Sequence, residues 1–328
     1  MSKDKSSNPD LSLHPHATGL AATFAQSHLN ASDADSPFTL YGSWFCPFVQ
    51  RVWIILHLKS IPHRYVEINP YHKAAEFLAR NPRGLVPTLA VNDLKLAGVE
   101  ANGIGDDAGN EEFNGNSSND ATTTDGVHPK EKILYESTII ATYLNTRYPQ
   151  PHPLTSNNAY TAAKQAIAID FISTRIIPAF YRFLQHTPQK PYTLDSCRAE
   201  FCGHLLEFTR QMHSQGPFYG GKDISMVDIA LIPWALRVFL IDHYKLPGGS
   251  GVGRHTTAGD DKPELGSEED QDALWQRYST WYNAISTHPS VQATMSDRER
   301  YIEAYKRYAE DTTGSGVGKA TREGRGLP

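Results

Sequence analysis

The sequence Trp44-Phe-Cys-Pro-Phe48 lies where a short β-type run, 38–41, gives way to an apolar pattern of helical spacing, 48–58. Proline is favoured at the first position of a helix, because that position needs no N–H donor and the φ of proline is already helical. Cys46 is therefore predicted to be the N-cap residue, with its thiol facing unpaired backbone N–H groups and the positive end of the helix dipole. Both features favour the thiolate, so a reactive nucleophile with a lowered pKa is the preferred interpretation. The alternative is a buried structural cysteine.

Position 49 determines which redox chemistry Cys46 supports. A CxxC pair would need a second cysteine at this position, where the chain has Val49. A two-thiol cycle within the motif is therefore excluded. Any disulfide formed at Cys46 must be resolved by an external thiol.

The segments around this motif predict a mixed α/β domain followed by an all-helical domain. Strands are predicted at 38–41, 64–68, 86–91 and 133–135, and helices at 48–58, 73–80 and 136–147. This order over residues 37–147 indicates a four-stranded mixed sheet with helices on its faces. After the proline-rich linker 148–153, the pattern is helical through 157–186, 193–215, 225–244, 271–287 and 289–308. The predicted fold class is therefore α/β plus all-α, with domains at 37–147 and 154–310.

Four segments are too polar to contribute to a hydrophobic core. Residues 1–36 and 311–328 are expected to be flexible tails. Residues 98–130 and 246–270 are rich in Gly and Asp, and we expect them to be polar insertions in the first and second domains. Such stretches bury too little apolar surface to offset the entropy lost when a chain is ordered.

Composition narrows the class of protein. The 328 residues carry 31 Lys+Arg and 36 Asp+Glu, and this net charge of −5 is not that of a nucleic-acid binder. Cys46, Cys197 and Cys202 are too few for a disulfide scaffold. No apolar run reaches the ~20 residues of a membrane span, and the N-terminus lacks a secretory pattern. The histidines show no metal-ligand spacing, so we expect no metal. Together with the charge, the cysteine content and the hydropathy, this leads us to expect a cytoplasmic protein without a nucleic-acid partner or a membrane span.

Three further motifs adjoin predicted strands or helices. Val86-Pro87 begins a strand; a cis bond there would leave the Val86 backbone free to pair with an extended ligand, and a trans proline on an edge strand is the alternative. Glu136-Ser137 begins a helix and could bind an ammonium and a carboxylate group, although an ordinary helix start has the same pattern. Ser225 to Asp228 matches a capping box, for which we predict a structural role.

Taken in order, four motifs resemble the glutathione transferase superfamily, most closely its omega class. They are CPFVQR (46–51), NPRGLVP (81–87), YESTIIATYL (135–144) and SMVD (225–228). The resemblance covers about residues 38–310. It implies a thioredoxin-like N-terminal domain, an all-α C-terminal domain, glutathione as the cosubstrate and a homodimer.

The resemblance also assigns roles to individual residues. Cys46 would be the catalytic thiol, which forms a mixed disulfide with glutathione. Val86, before a cis-Pro87, would pair with the cysteinyl backbone of glutathione, and Phe48 would line the same site. The γ-glutamyl end would be held by Glu136 and Ser137, and the glycyl carboxylate by Lys73.

The function that this resemblance implies is glutathione-dependent thiol transfer to a small disulfide or electrophile, including deglutathionylation and dehydroascorbate reduction. One alternative is a non-catalytic or membrane-associating relative, similar to the intracellular chloride channel family, which has a comparable CPF-x-Q-R helix start. In this chain the run 52–58 contains His57 and is closed by Lys59, so it is too short and polar to span a bilayer. A second alternative is a glutathione-dependent reductive lyase or etherase.

The second substrate is expected to bind between the two domains. From the helix faces and the domain order, we predict that this pocket is lined by Trp44, Phe45, Arg175, Tyr181, Arg182 and Trp234. Packing between the domains is the alternative role for these side chains.

Overall fold

The computed structural model describes residues 13–29, 36–92, 132–255 and 267–327. The four strands are β1 (Phe38–Gly42), β2 (Arg64–Glu67), β3 (Thr88–Val91) and β4 (Lys132–Tyr135). The helices up to the linker are α1 (Gly19–Leu29), α2 (Pro47–Leu58), α3 (Ala75–Arg80) and α4 (Ser137–Arg147). After it come α5 (Ala159–Phe171), a π-helical turn (Ile172–Ile176), α6 (Ile177–Leu184), α7 (Leu194–Arg210), α8 (Met226–Ala235), α9 (Val238–Tyr244), α10 (Glu268–Thr287), α11 (Pro289–Gln292), α12 (Arg298–Ala309) and α13 (Gly316–Glu323). The predicted fold class, a mixed sheet domain followed by an all-α domain, is confirmed.

The sheet has the strand order β2-β1-β3-β4. β1 is parallel to β2 and antiparallel to β3, and β3 is antiparallel to β4. Leu40 lies opposite both Tyr65 and Leu89, and all three side chains are buried. The parallel pair requires α2 as its crossover, so this helix packs on the sheet with its N-terminus at the carboxyl end of β1.

Helix α2 is buried on nearly every side, because it lies between the sheet and the all-α domain. Val52, Ile54 and Ile55 are fully buried, and the Trp53 ring stacks on Tyr65 with 4.4 Å between ring centroids. Removing a large apolar side chain from water stabilises a fold by about 1.5–3 kcal/mol. The burial therefore fixes α2, and with it the residues at its N-terminus.

The expectation of a flexible tail over residues 1–36 is wrong for residues 13–29. Helix α1 is anchored by the buried Ala21, whose N–H donates to the carbonyl oxygen of Met295 at 3.1 Å. Phe24 packs against Trp53 with 5.6 Å between ring centroids. The helix is short and only weakly amphipathic, so its small buried residues gave little periodic signal. Residues 1–12 and 30–35 lie outside the described residues, as does the whole of the predicted insertion 98–130.

The C-terminal tail and part of the second insertion are also ordered. Helix α13 falls within the predicted tail 311–328 and is capped by Ser315, whose hydroxyl accepts from the Gly318 N–H at 2.9 Å. Residues 246–255 form turns held by Arg198, whose guanidinium donates to the carbonyls of Pro247 and Gly249 at 3.0 Å each. These segments are stabilised by capping and by hydrogen bonds to carbonyl groups, which apolar periodicity does not detect. Residues 256–266 lie outside the described residues.

Candidate active site

Cys46 occupies the predicted N-cap position of α2, with Pro47 at the first helical position. Its backbone is extended (φ −74°, ψ 120°), and its N–H donates to the Ser43 carbonyl at 2.9 Å. The side chain is half-buried, and its Sγ lies 3.8 Å from the carbonyl oxygen of Val86. This geometry places the sulfur in the wall of a cavity.

The expected lowering of the Cys46 pKa is wrong for the free protein. Burial raises the pKa of the Cys46 thiol, and this effect exceeds the lowering by the N–H groups of Val49 and Phe48 and by the guanidinium groups of Arg237 and Arg51. The helix N-terminus favours the thiolate, as the sequence suggested, and so do the two arginines, which the sequence analysis did not identify. Together they do not fully compensate for the lost hydration of the thiolate.

The cavity beside Cys46 encloses about 980 Å³, including its open mouth. It brings together all the residues for which the sequence predicted a glutathione-binding role, namely Phe48, Lys73, Val86, Pro87, Glu136 and Ser137. The site lies between the carboxyl ends of β1 and β2, the β3 strand start and the α4 N-terminus. Binding sites for small molecules are commonly concave, mostly apolar and provided with a few fixed polar groups.

The wall opposite Cys46 contains the Val86–Pro87 and Glu136–Ser137 motifs, and the sequence allowed two interpretations for each of them. The Val86–Pro87 bond is cis, which decides between the two alternatives. Glu136 is the N-cap residue of α4 with a φ of 70°, and its carboxylate pairs with the exposed Arg83 guanidinium at 2.9 Å. The hydroxyl of Ser137 accepts from Arg51 at 3.2 Å. Glu136 and Ser137 thus present an anionic group and a hydroxyl side by side at the start of a helix.

The polar residues of the CPFVQR motif connect the two domains. Arg51 is buried, and its Nε and Nη2 atoms donate to the Ala230 carbonyl of α8 at 3.0 and 2.6 Å. Burial lowers the pKa of Arg51 to about 9, so the side chain stays charged at neutral pH. Gln50 donates to the hydroxyl of Thr294 at 3.1 Å. These bonds fix the first turn of α2 against the all-α domain.

Only two of the six residues predicted for the second-substrate pocket line this cavity within the described part of the chain: Phe45 and Tyr181. Trp44 and Trp234 are buried in the packing between the domains, where Trp234 lies against Phe48 with 4.9 Å between ring centroids. Arg182 pairs with Glu200, and Arg175 is exposed on the π-helical turn. These four side chains do not line the cavity beside Cys46, because helix periodicity shows which side chains face inward but not which interior surface they reach.

The sequence analysis missed the part of the cavity that the end of the chain supplies. Tyr305 and Tyr308 of α12 and residues 314–317 line it. The segment is fastened to the first domain, because the Tyr71 hydroxyl lies 3.3 Å from the hydroxyl of Thr313. The three-residue spacing of Tyr305 and Tyr308 places both rings on one helix face, and this was the available signal.

Comparison with known proteins agrees with this architecture. A family model of the glutathione S-transferase N-terminal domain matches residues 45–147. Glutathione S-transferase omega-1 of Sus scrofa is 26% identical over 201 residues, which are 61% of this chain and 66% of the relative. A probable glutathione transferase omega-2 of Caenorhabditis elegans is 23% identical over 84% of this chain and 87% of its own length. The chain thus spans just under two thirds of the pig relative.

Solved structures give the same result. Glutathione transferase Omega 3C from Trametes versicolor superposes with a TM-score of 0.64 and 29% identity, over 92% of this chain and 100% of that one. The shared fold is a thioredoxin-like domain joined to an all-α domain. In sequence and fold the chain is therefore similar to the glutathione transferase superfamily and to members of its omega class. In the described ranges, no helix combines the length and the apolar character that crossing a membrane requires.

Proposed function

We propose that the protein is a glutathione-dependent thiol transferase in which Cys46 carries the glutathionyl group. The observation that supports this most directly is the position of the Cys46 sulfur, which faces a cavity lined by Val86, Glu136 and Ser137. A peptide backbone pairs with backbone, a carboxylate with a helix N-terminus and a hydroxyl, and an ammonium with a carboxylate. Glutathione carries these three groups within a short extended chain, and its glycyl carboxylate would reach Lys73.

The reaction proceeds by two thiol–disulfide exchanges. The Cys46 thiolate attacks the glutathione sulfur of a mixed disulfide; a bond forms between the two sulfurs, and the substrate leaves as a thiolate that takes up a proton. A second glutathione thiolate then attacks the glutathione sulfur bound to Cys46, releasing oxidised glutathione and the free Cys46 thiolate. No second protein thiol is needed, which agrees with Val49 at the CxxC position.

The substrates within this proposal are glutathionylated thiols and dehydroascorbate. With dehydroascorbate the Cys46 thiolate adds to a carbonyl carbon, a glutathione thiolate then attacks the Cys46 sulfur while ascorbate leaves, and a second glutathione releases oxidised glutathione, so two glutathione molecules supply the two electrons. They would approach from the side of the cavity formed by Tyr181, Tyr305 and Tyr308, whose rings provide an apolar wall with hydroxyl groups. A cytoplasmic location, where thiols are kept reduced, is part of the proposal because the chemistry depends on reduced glutathione.

Exposure to oxidised glutathione tests the central step. The wild-type protein should gain the mass of one glutathionyl group, located at Cys46 by peptide mapping, and should lose it on addition of reduced glutathione. Cys197 and Cys202 are buried in α7 and serve as internal controls that should remain unmodified. A glutathionyl group on either of them instead of Cys46 would contradict the assignment.

Glutathionylation of Cys46 by oxidised glutathione also tests the residues that we propose bind the γ-glutamyl group. Glu136→Gln and Ser137→Ala should each require about tenfold more oxidised glutathione for half-modification, since a hydrogen bond to a charged group is worth about 1.5–3 kcal/mol. Glu76→Gln, which alters an exposed carboxylate outside the cavity, is the matched control. Equal behaviour of all three variants would place the γ-glutamyl site elsewhere.

We also propose that the chain forms a homodimer through β4, α4 and α5. Four large apolar side chains are exposed on these elements: Tyr135, Ile139, Tyr160 and Ile167. Helices α4 and α5 also contribute five of the nine residues that line a cavity, the other four being Arg51 and three residues of α8. Clusters of this kind are typical of an interface. Sedimentation equilibrium should give twice the 36.5 kDa mass of the chain, and Ile139→Lys should give the monomer.

A further inference from the structure

The side chain of Arg237 lies between the two domains, directly behind the residues that carry Cys46. It precedes α9 and is completely buried. Its Nη1 atom donates to the Gln50 side-chain oxygen and to the Pro233 carbonyl, at 2.6 Å in each case. Its Nη2 atom donates to the carbonyl oxygen of Phe45 at 3.3 Å. The guanidinium thus bridges α8 to both sides of the turn that holds Cys46.

A second residue of the all-α domain holds the same carbonyl. The hydroxyl of Tyr305 donates to the Phe45 oxygen at 3.0 Å, so this oxygen accepts two bonds from the opposite domain. The Phe45 carbonyl belongs to the peptide unit whose nitrogen is that of Cys46. This peptide is therefore held by two donors at its oxygen and by the hydrogen bond from its Cys46 N–H to Ser43. Together these bonds fix the backbone that sets the position of the sulfur.

The positive charge of Arg237 has no carboxylate partner among the residues that the structure describes. Its neighbours are neutral acceptors and the Tyr301 ring, whose centroid is 4.7 Å from the guanidinium carbon. Its Nε atom is buried without a hydrogen-bond partner. A buried cation without a counter-ion attracts an anion formed nearby, and the attraction is screened less than in water.

We propose that Arg237 is a positioning residue for the Cys46 reaction, which orients the Phe45–Cys46 peptide and supplies the buried positive charge that stabilises the Cys46 thiolate. The inference rests on the proposed role of Cys46 as the reacting thiol. Burial disfavours the charged form of Arg237, but the negative charges that Tyr305, Tyr301, Tyr181 and Cys46 carry when ionised raise its pKa above the ordinary value, which for an arginine is already about 12 or more. The guanidinium is therefore protonated throughout the range in which a thiol titrates.

Other groups also face the sulfur and belong in the pH argument. The titratable groups whose charges interact with that of Cys46 are Arg51 of α2, Tyr65 of β2, Tyr181 of α6, and Tyr305 and Tyr308 of α12. Lys73 and Glu136 line the same cavity and have opposite charges. The tyrosines stay neutral below pH 10, because burial raises the pKa of each one. Arg51 and Arg237 are the two cations that favour the thiolate.

The test is the rate of iodoacetamide alkylation of Cys46 as a function of pH, measured by peptide mapping without glutathione. The wild-type titration midpoint should lie above about 8.5, the ordinary value for a cysteine. Arg237→Met should raise the midpoint by about one pH unit and slow alkylation at pH 7.5 about tenfold. Arg237→Lys should restore the midpoint to within a few tenths of a unit, because it keeps the charge. Tyr305→Phe removes one bond to the Phe45 carbonyl but no charge, so it should shift the midpoint less than Arg237→Met does.

A matched control separates this role from general stabilisation. Arg277 likewise joins two backbone carbonyls, those of His213 and Phe218, but it lies outside the cavity. Arg277→Met should leave the Cys46 midpoint unchanged. If Arg237→Met does not fold, Arg237→Gln, which is neutral but can hydrogen-bond, takes its place. An unchanged midpoint in the neutral variant, or an equal change in Arg277→Met, would overturn the inference. Because alkylation needs no glutathione, this outcome is independent of whether the protein transfers glutathionyl groups.

Discussion

Cys46→Ser is expected to reduce glutathione-dependent thiol transfer by at least about 1,000-fold, to the uncatalysed background. A hydroxyl cannot form the mixed disulfide, because it is not ionised at working pH and makes no oxygen–sulfur bond that a second glutathione resolves. The measurement is the rate at which oxidised glutathione forms when reduced glutathione and a glutathionylated peptide are supplied. The serine retains a side chain of similar shape at the N-cap, so the fold and the cavity should be unchanged.

The controls for this prediction come from the other two cysteines. Cys202 is buried, its Sγ contacts the Ser250 carbonyl at 3.3 Å, and it is not among the residues that line the cavity. Cys202→Ala should therefore keep full activity per folded molecule. Undiminished transfer by Cys46→Ser would refute the mechanism. A wild-type protein that forms the Cys46 adduct but never turns over would instead support a non-catalytic glutathione-binding relative.

A serine at position 46 also distinguishes thiol transfer from conjugation. The serine hydroxyl could donate to the thiolate of bound glutathione, so addition of glutathione to an electrophile should persist or increase. The reductive lyase alternative requires Cys46 to remove glutathione from a product, and it should fail in the same variant. A loss of disulfide exchange together with retained conjugation would therefore identify Cys46 as the exchanging thiol.

The position of Cys46 was predictable from local sequence, but its titration was not. Proline at position 47 specifies the helix start, and the apolar spacing from 48 to 58 specifies the helix. Desolvation depends on what covers the site, and part of that cover is Tyr305 and Tyr308, more than 250 residues further along the chain. A local motif contains no information about such distant residues, so the electrostatic balance at Cys46 required the folded chain.

The contacts made by the polar residues of the CPFVQR motif were likewise not predictable from local sequence. A resemblance identifies the motif, but it does not show that Gln50 and Arg51 bond to the opposite domain rather than to a ligand. Arg237 has no motif of its own, since a single arginine after a helical proline carries no local signal. The same limit explains why four of the six residues predicted for the second-substrate pocket do not line the cavity. In a two-domain protein, an inward-facing side chain can reach any of several interior surfaces.

The capping box at α8 was assigned a structural role from its sequence, and its buried surroundings make that role unusually large. Asp228 is completely buried and accepts four hydrogen bonds. The donors are the Ser225 N–H and hydroxyl at 2.8 and 2.6 Å, the Tyr219 N–H at 2.8 Å, and the Trp281 indole N–H at 2.8 Å. Burial raises the pKa of Asp228, and the four donors act in the opposite direction. One carboxylate thus joins the α8 N-terminus to α10 and to the preceding loop.

Asp228→Ala is expected to lower the free energy of unfolding by about 3–5 kcal/mol, because the buried donors lose their acceptor. The measurement is urea unfolding followed by circular dichroism. The chain offers a matched control at the start of α10, where Ser267 and Asp270 form a second capping box. That box is exposed, so water replaces the lost carboxylate and Asp270→Ala should have a much smaller effect. Equal losses in the two variants would show that helix capping alone accounts for the contribution of Asp228, and that its bond to Trp281 adds nothing. A larger loss in Asp228→Ala, reproduced in part by Trp281→Phe, would show that the carboxylate connects the two helices.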